Sequence, residues 1–474
     1  MDLIPKPDQV VSAASNVAHM VLYGGLADLR PMPRTLIEEG ELREVYHYRA
    51  DPTAPAEGDP VLLVTPLAAP ALCFDLRRGC SVVEHLVKTG RPTYLVEYGQ
   101  VSFRNRALGM EHWVDDVVPA AIRAASEHAG GRPVHVVGWS LGGIFALLTA
   151  ADQRELPIAS LSVVGSPVDT KKVPLMAPVR PLLNLTEGRG MITRAYQAMG
   201  GAPKPLVRWA FQLSSFQKLV TKPLAVATKL DDTDFLAQLE AVDRFTDNMI
   251  AYPGRSFGQL YHRFVKGNAL VTGSMDFGDR SIHLEDVAVP VLVFAGNTDG
   301  IAPVPAVKAV VDLLTGSPEV RFEIVPGGHL GMLTGRAARE TTWRVLGEWF
   351  SQWSSDVAGA PAGKGESRRT ASRKAAAKKS AKKAAKKAAK APAKKAATKT
   401  AVKKSAGKKA AGKPAAQKPA KAPASQPAAK TAVRKSVGKK APVRKRSTGA
   451  SSEAIGANPS RRYGSAGSRA LSRP

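Results

Sequence analysis

The chain has 474 residues and a formal net charge of +28 at pH 7, but that charge is unevenly distributed. Residues 361–474 hold 34 Lys and Arg against two Glu, a net charge of +32, whereas residues 1–360 carry a net charge of −4. A mildly acidic globular part, long enough for one large domain with an insertion, therefore precedes a strongly basic tail.

The cysteine content and the N-terminus bear on the cellular compartment. Cys73 and Cys80 are the only cysteines, which excludes a disulfide-stapled scaffold and favours a reducing environment. Residues 1–5 have no basic segment, no long apolar segment follows them, and no signal peptide is predicted. The longest apolar stretch, 133–151, contains a glycine-rich turn, so it is not predicted to span a membrane. We expect a cytoplasmic protein.

The first part of the chain predicts alternating strands and helices. Residues 1–45 are predicted to form a helix from Gln9 to about Tyr23 and a connection. The pattern then predicts a buried strand at 60–67, a helix at 75–90 closed by glycine, a strand at 92–98 and an amphipathic helix at 113–128. This succession indicates an α/β fold whose mainly parallel sheet has helices on both faces.

The next segment carries the most informative motif. A β-branched strand at 133–137 leads into Gly-Trp-Ser-Leu-Gly at 138–142, and a helix is predicted from residue 144 to 151. Strand, Gly-x-Ser-x-Gly and helix are the nucleophile elbow of an α/β-hydrolase fold. The strained turn requires small neighbours, which Gly138, Gly142 and Gly143 provide. We therefore predict Ser140 as the nucleophile.

Two further residues complete a predicted triad in the order Ser, acid, His. Asp299 follows an apolar strand at 291–296, and His329 follows the next strand, 321–325. Catalytic groups of open α/β sheets collect at the carboxyl ends of the strands. His329 is predicted to take the proton of Ser140, and Asp299 to orient the imidazole. Asp169, after the strand at 160–164, is the alternative acid.

The same reasoning predicts an oxyanion hole from backbone groups. The N–H of Leu141 is its first donor, and Leu67 or Ala68, at the end of the strand at 60–67, supplies the second. The chemistry needs neither a cofactor nor a metal ion, and no binding residues for either are predicted.

Residues 169–285 interrupt the alternation and are predicted to form a cap insertion between two segments of the hydrolase core, 46–168 and 286–352. Pieces such as 174–176 and 203–206, with a helix from Asp234 to Ile250, supply Leu, Met, Phe and Val. Such a lining favours a lipidic acyl substrate over a charged sugar or phosphate. An ordinary helical subdomain that packs its own core is the alternative.

The basic tail, predicted as residues 353–474, repeats Lys-Lys-Ala-Ala units broken by Pro and Gly. This composition predicts disorder in isolation. Its charge favours non-specific binding of a polyanion, with duplex DNA as the first candidate and polyphosphate, RNA or an anionic membrane surface as alternatives. The scarcity of aromatic residues argues against base stacking.

Residues 60–350 resemble polyhydroxyalkanoate synthases, especially the shorter ones that work with a partner subunit. The resemblance is carried by the stretches 62–64 through 75–76, 81–87, 94–99, 267–273 and 287–292. It implies an α/β-hydrolase fold, a cap, and a nucleophile–Asp–His triad that handles acyl thioesters or hydroxyacyl esters. The polymerising synthases have cysteine at the elbow, where this chain has Ser140. A serine oxyester is a normal hydrolase intermediate, so we expect hydrolysis or transfer to a small acceptor.

Two classes of function follow. The first is a serine acyl hydrolase of the esterase, lipase or polyester depolymerase type, or an acyltransferase, with a synthase-like polymerising acyltransferase as the alternative. The second is an interaction protein that ties a lipid or polyester inclusion to the nucleoid. The tail resembles the histone-H1-like Lys/Ala/Pro repeats of some phasin-type granule proteins, which supports this second class by analogy.

Overall fold

The computed structural model describes residues 7–54, 58–174, 200–208 and 216–355, and for residues 216–221 it describes the backbone alone. The predicted tail after Ser355 lies outside the described residues. So do residues 175 and 176 of the predicted cap, whereas Pro174 is described. None of the described helices has both the length and the apolar composition needed to cross a bilayer.

An eight-stranded sheet forms the centre of the described residues. Its strands are β1 (Arg34–Gly40), β2 (Arg43–Tyr48), β3 (Val61–Val64), β4 (Thr93–Glu97), β5 (Val134–Trp139), β6 (Ile158–Val164), β11 (Val291–Gly296) and β12 (Val320–Val325). Their order across the sheet is β1-β2-β4-β3-β5-β6-β11-β12. The pairings β1–β2 and β2–β4 are antiparallel, and all the others are parallel. This mainly parallel sheet confirms the predicted fold class.

Two short strand pairs lie between β6 and β11 in the chain: β7 (Gly201–Ala202) with β8 (Tyr252–Pro253), and β9 (Ser274–Phe277) with β10 (Arg280–His283). The described α-helices are α1 (Pro7–Tyr23), α2 (Val82–Lys88), α3 (Met110–His112), α4 (Val118–His128), α5 (Leu141–Asp152), α6 (Phe216–Ala227), α7 (Thr233–Asp247), α8 (Gly254–Gln259), α9 (Val304–Lys308), α10 (Gly331–Thr334) and α11 (Thr342–Trp353). A π-helical turn, Trp113–Val117, joins α3 to α4.

The sheet separates two hydrophobic cores because successive side chains of a strand point to opposite faces. In β3, Leu62 and Val64 belong to the core that contains α4 and α5, whereas Val61 and Leu63 belong to the core that contains α2 and α11. All four residues of β3 are buried, which explains why parallel strands of this kind read as continuous apolar runs.

The hairpin β1–β2 corrects the prediction of a connection up to residue 45. Every residue of β1 is exposed or half-buried, since the strand lies at the edge of the sheet. An edge strand of this kind carries no apolar run for a sequence pattern to detect. The helix predicted at 75–90 is also shorter than expected, because α2 begins only at Val82.

The shortening of α2 has a local cause. The Ser81 side chain caps the helix by accepting a hydrogen bond from the Glu84 N–H at 3.0 Å. The Ser81 hydroxyl donates to the Asp75 carboxylate at 2.6 Å, and Asp75 and Ser81 form an isolated antiparallel bridge. Residues 75–81 therefore form a closed loop that precedes the helix.

The folded part extends beyond the predicted start of the tail at residue 353. Trp353 is the last residue of α11, and the Ser355 hydroxyl donates to the Asp59 carboxylate at 2.7 Å. The hairpin β9–β10, predicted as part of the cap, contributes Met275 and Ile282 to the same core as α5. The boundaries 169–285 of the cap stay a prediction.

Candidate active site

The turn between β5 and α5 holds Ser140 in a backbone conformation that only a few non-glycine residues adopt. Its φ is +53° and its ψ is −120°, and the first residue of α5 follows directly. The Ser140 N–H donates to the carbonyl of Val164 at 2.8 Å, which ties the turn to the neighbouring strand β6. The turn thus presents Ser140 at the N-terminus of a buried helix.

The glycines of the motif are required by close backbone contacts. A Cβ atom at Gly138 would lie 2.5 Å from the Cα of Gly143, and one at Gly142 would lie 2.7 Å from the carbonyl oxygen of Thr65. No side chain fits at such separations. These contacts place the start of α5 directly against the end of β3.

His329 and Asp299 meet Ser140 at the same edge of the sheet. The Nε2 atom of His329 lies 3.0 Å from the Ser140 hydroxyl, and its Nδ1 atom lies 2.7 Å from the Asp299 carboxylate. His329 is 7% exposed and Asp299 is 5% exposed. Both separations are hydrogen-bonding distances, so the three side chains form one continuous chain of hydrogen bonds.

The Asp299 carboxylate is held in its ionised form. Burial favours the neutral acid and acts to raise its pKa, but the facing His329 and the N–H groups of Ala302 and Ile301 lower it. Those two N–H groups donate to Oδ1 at 2.9 and 2.8 Å. The net result is a pKa below the usual value for Asp. A depressed carboxyl pKa adds stability at neutral pH, and that stability is lost as the pH falls through the folded-state pKa.

The alternative acid, Asp169, lies elsewhere in the hydrogen-bond network. Its Oδ1 atom accepts from the side-chain amide of Asn268 at 3.0 Å, and its Oδ2 atom pairs with Lys172 at 3.0 Å. It also caps the 3-10 helix Thr170–Lys172 through the Lys171 N–H. The structure thus brings Asp299, and not Asp169, to His329.

The predicted oxyanion donors lie around the elbow. Leu141 is the first residue of α5, so its N–H has no intrahelical acceptor. Leu67 and Ala68 are buried in the turn after β3, and no acceptor within the described residues is found for either backbone N–H. The N–H of Ala69, in contrast, donates to Pro66 at 3.1 Å and is already used by the turn.

Two residues that support the site were not predicted from the sequence. The indole N–H of Trp139 donates to the backbone carbonyl of His329 at 3.1 Å, and the two rings lie 5.0 Å apart. The Ser166 hydroxyl donates to the Ser140 carbonyl at 2.6 Å. In the sequence, only their positions could have pointed to these two residues: Trp139 lies inside the elbow motif, and Ser166 follows β6, the strand beside β5.

This sheet order, with a serine presented between the central strand and its helix, is that of the α/β-hydrolase fold. The model of the alpha/beta hydrolase family matches residues 56–341, and the chain belongs to that family.

Curated proteins from other organisms are similar to this chain over about two thirds of its length. The chain is 26% identical over 323 residues to the poly(3-hydroxyalkanoate) polymerase subunit PhaC of Allochromatium vinosum, covering 68% of this chain and 88% of that protein. It is 24% identical to the subunit of the same name from Thiocystis violacea, covering 70% and 92% of the two chains. Among solved structures, a thermostable carboxyl esterase from Bacillus coagulans is 16% identical, with a TM-score of 0.43 over 68% of this chain and 99% of that one.

Proposed function

We propose that the chain is a serine acyl hydrolase in which Ser140, His329 and Asp299 act as the catalytic triad. The observation that carries the proposal is the 3.0 Å separation between the Ser140 hydroxyl and Nε2 of His329, with Asp299 2.7 Å from Nδ1. A hydroxyl becomes a useful nucleophile when a base in hydrogen-bonding reach is itself oriented by a third group.

In this mechanism the Ser140 oxygen attacks the acyl carbonyl carbon while its proton moves to Nε2 of His329. Asp299 stabilises the resulting imidazolium through Nδ1. The tetrahedral oxyanion accepts hydrogen bonds from the N–H of Leu141 and from that of Leu67 or Ala68. The imidazolium then gives its proton to the leaving alkoxide or thiolate. Water, deprotonated by His329, releases the acid from the acyl-serine.

The proposed substrates are lipidic or hydroxyacyl esters, with acyl thioesters as a second possibility for the acyl donor. Apolar side chains lie next to the site: the Trp139 ring, which packs on His329, lies 6.1 Å from that of Phe245, and Met332 is fully buried in the same core. The names of the curated relatives, polymerase subunits for poly(3-hydroxyalkanoate), point to the same acyl chemistry.

A polymerising acyltransferase is the alternative that these relatives favour. We prefer hydrolysis, or transfer to a small acceptor, because an acyl-serine is an oxyester that water resolves readily, whereas a thioester stays reactive for further acyl transfer. Supplying hydroxyacyl thioesters to the wild-type enzyme separates the two, and we expect that Ser140→Cys does not become an efficient polymerase. Release of free hydroxy acid by the wild type supports hydrolysis, and accumulation of polymer contradicts it.

The substitution Ser140→Ala tests the triad. We expect it to lower kcat on p-nitrophenyl esters by about 10⁴- to 10⁶-fold while leaving the fold intact. Ser162→Ala is the matched control, because Ser162 is a buried serine of β6 whose hydroxyl has no partner within the described residues. Near-wild-type turnover by Ser140→Ala would reject the assignment.

We propose in addition that residues 361–474 bind DNA or another polyanion without sequence preference. The support is their composition, 34 Lys and Arg against two Glu. Such a tail would hold a cytoplasmic enzyme at the nucleoid, or tie a lipid or polyester inclusion to it. Binding to inclusions can be tested separately, by recovering the full chain with isolated polyester granules in the presence of nuclease.

A further inference from the structure

A cavity of about 530 Å³ lies between the segment after β4 and the segment that starts with α8. Among the described residues, its walls include three arginines and no acidic residue: Arg106, Arg255 and Arg263, with Gln259, His262 and three glycines. Residues 1–360 carry a net charge of −4, so this group of cations is not explained by a generally basic folded part.

Two of the three arginines are not neutralised by carboxylates. The Arg106 guanidinium stacks on the ring of Phe103, 4.4 Å from its centroid, and donates to the carbonyl of the same residue at 3.1 Å. The Arg263 guanidinium lies 5.6 Å from the ring centroid of Phe277. Within the described residues, neither forms a salt bridge. Arg255 differs, because it pairs with Glu111.

The aromatic contacts fix both guanidinium groups while leaving their charge available. A ring orients the cation without cancelling it, whereas a carboxylate would do both. Planar guanidinium groups match the geometry of carboxylate and phosphate oxygens, to which they donate paired hydrogen bonds. The cavity therefore suits an anionic group.

The position of the cavity connects it to the candidate active site. The Ile250 N–H donates to the carbonyl of Ala68 at 2.8 Å, next to the predicted oxyanion donors. Gly254, which lines the cavity, is four residues further along the chain, so at most about 14 Å of extended backbone separates it from Ile250. Residues 250–254 therefore connect the segment that carries the predicted oxyanion donors to the wall of the cavity.

We propose that Arg106 and Arg263 form an anion-binding subsite that holds a carboxylate or phosphate group carried by the substrate, remote from the scissile carbonyl. The subsite rests on the proposed acyl hydrolase function and narrows its substrate class to acyl compounds with a charged end. This proposal differs from the expectation that the cap favours a lipidic acyl substrate over a charged one. In the proposed substrate, the acyl part contacts apolar side chains and the charged end contacts Arg106 and Arg263.

Matched esters test the proposal on the full-length chain. The probes are p-nitrophenyl monoesters of butanedioic, hexanedioic and decanedioic acid, each paired with the same compound methylated at its free carboxylate. A further probe carries a terminal phosphonate. The wild type should prefer the charged member of the longer pairs, and a stronger preference for carboxylate or for phosphonate identifies the natural group.

The informative variant is R106Q/R263Q, with R123Q/R154Q as a charge-matched control. Arg123 and Arg154 pair with acidic residues on the surface, away from the cavity lining. In R106Q/R263Q the ratio of kcat/KM for charged over methylated ester should fall by about tenfold to a hundredfold, the effect of losing one charge-assisted hydrogen bond. The control should keep the wild-type ratio. Because every variant retains the tail, attraction of anions by its lysines cancels in the comparison.

Three results overturn the subsite: a wild type without preference for the charged ester, an unchanged ratio in R106Q/R263Q, or an equal fall in the control. Calorimetric titration with decanoic acid, which carries a carboxylate and no ester bond, gives a readout without catalysis. If no ester is turned over, the proposed hydrolase function fails, and the subsite still predicts binding that R106Q/R263Q weakens at least tenfold. Equal binding by wild type and R106Q/R263Q would then reject the subsite itself.

Discussion

The indole of Trp139 holds the backbone of His329 in place: its N–H donates to the His329 carbonyl at 3.1 Å, and the two rings pack 5.0 Å apart. Trp139 directly precedes Ser140 in the chain, so a residue inside the elbow motif also positions the histidine partner of Ser140. One fully buried side chain therefore couples the geometry of two of the three proposed catalytic groups.

Trp139→Phe should lower kcat by about fivefold with little change in KM, because it keeps an aromatic ring but removes a hydrogen bond that contributes about 1 kcal/mol. Steady-state kinetics on a p-nitrophenyl ester measures this. Trp349→Phe is the control: Trp349 is equally buried, and its indole nitrogen has no partner within the described residues. Equal kcat values for the two variants would argue against the positioning role.

Asp299→Asn should reduce kcat by about 10⁴-fold, because an amide neither fixes the required tautomer of His329 nor stabilises its protonated form. Asp169→Asn should leave kcat within a few-fold of wild type and lower only the stability, since it weakens the ion pair with Lys172. Kinetics and urea unfolding of both variants separate the two roles. A larger kcat loss in Asp169→Asn would transfer the acid to the loop after β6.

His135 predicts a loss of stability in acid. Its ring is buried in β5 between the hydroxyls of Ser160 and Ser354, and this burial, with nearby Arg91, lowers its pKa from 6.5 to about 3. In the unfolded chain His135 therefore binds a proton below about pH 6.5, whereas in the folded chain it binds one only below about pH 3. The free energy of unfolding should fall by about 1.4 kcal/mol per pH unit across this window from this group alone.

Replacing this histidine with Gln removes that proton-linked term and keeps a donor and an acceptor for the two serines. Urea unfolding at neutral pH and at about pH 5 should show that His135→Gln loses about 2 kcal/mol less than wild type between the two conditions. An identical loss in both proteins would show that His135 does not carry the acid sensitivity.

Deleting residues 361–474 should abolish most DNA binding and leave esterase activity almost unchanged, since residues 1–360 have a net charge of −4. For the full chain, log affinity for duplex DNA should fall linearly with log salt, with a slope of about −0.9 per phosphate neutralised. Gel-shift titrations at several salt concentrations measure this slope. Tight binding by the truncated chain, or a slope near zero for the intact one, would contradict the electrostatic account.

The strands that carry the site could be predicted from the sequence because burial on both faces gives an uninterrupted apolar run. The strand Val291–Gly296 has the bounds that were predicted, and the strand before His329 differs by one residue. The edge strand Arg34–Gly40 was missed for the opposite reason, since an exposed strand carries polar residues at most positions. The burial of a strand, more than the strand propensity of its residues, therefore decided whether the sequence pattern predicted it.

The choice between Asp169 and Asp299 could not be settled from the sequence, because each follows a buried strand. Sheet order decides it. The strand that precedes His329 is β12, which pairs with β11, the strand before Asp299, whereas β6, before Asp169, lies one strand further away. The arginine cavity was equally out of reach, since Arg106 and Arg263 are separated by more than half of the hydrolase fold in the chain and share no local pattern.

Covalent labelling with a fluorophosphonate tests whether the hydroxyl of Ser140 is an activated nucleophile. Peptide mass spectrometry after exposure of the full-length chain should find one adduct, on Ser140, at a rate that falls steeply in Asp299→Asn and not in Asp169→Asn. The adduct should be absent from Ser140→Ala. An unlabelled Ser140 in a chain that still hydrolyses esters, or an adduct on another serine whose loss abolishes activity, would contradict the account.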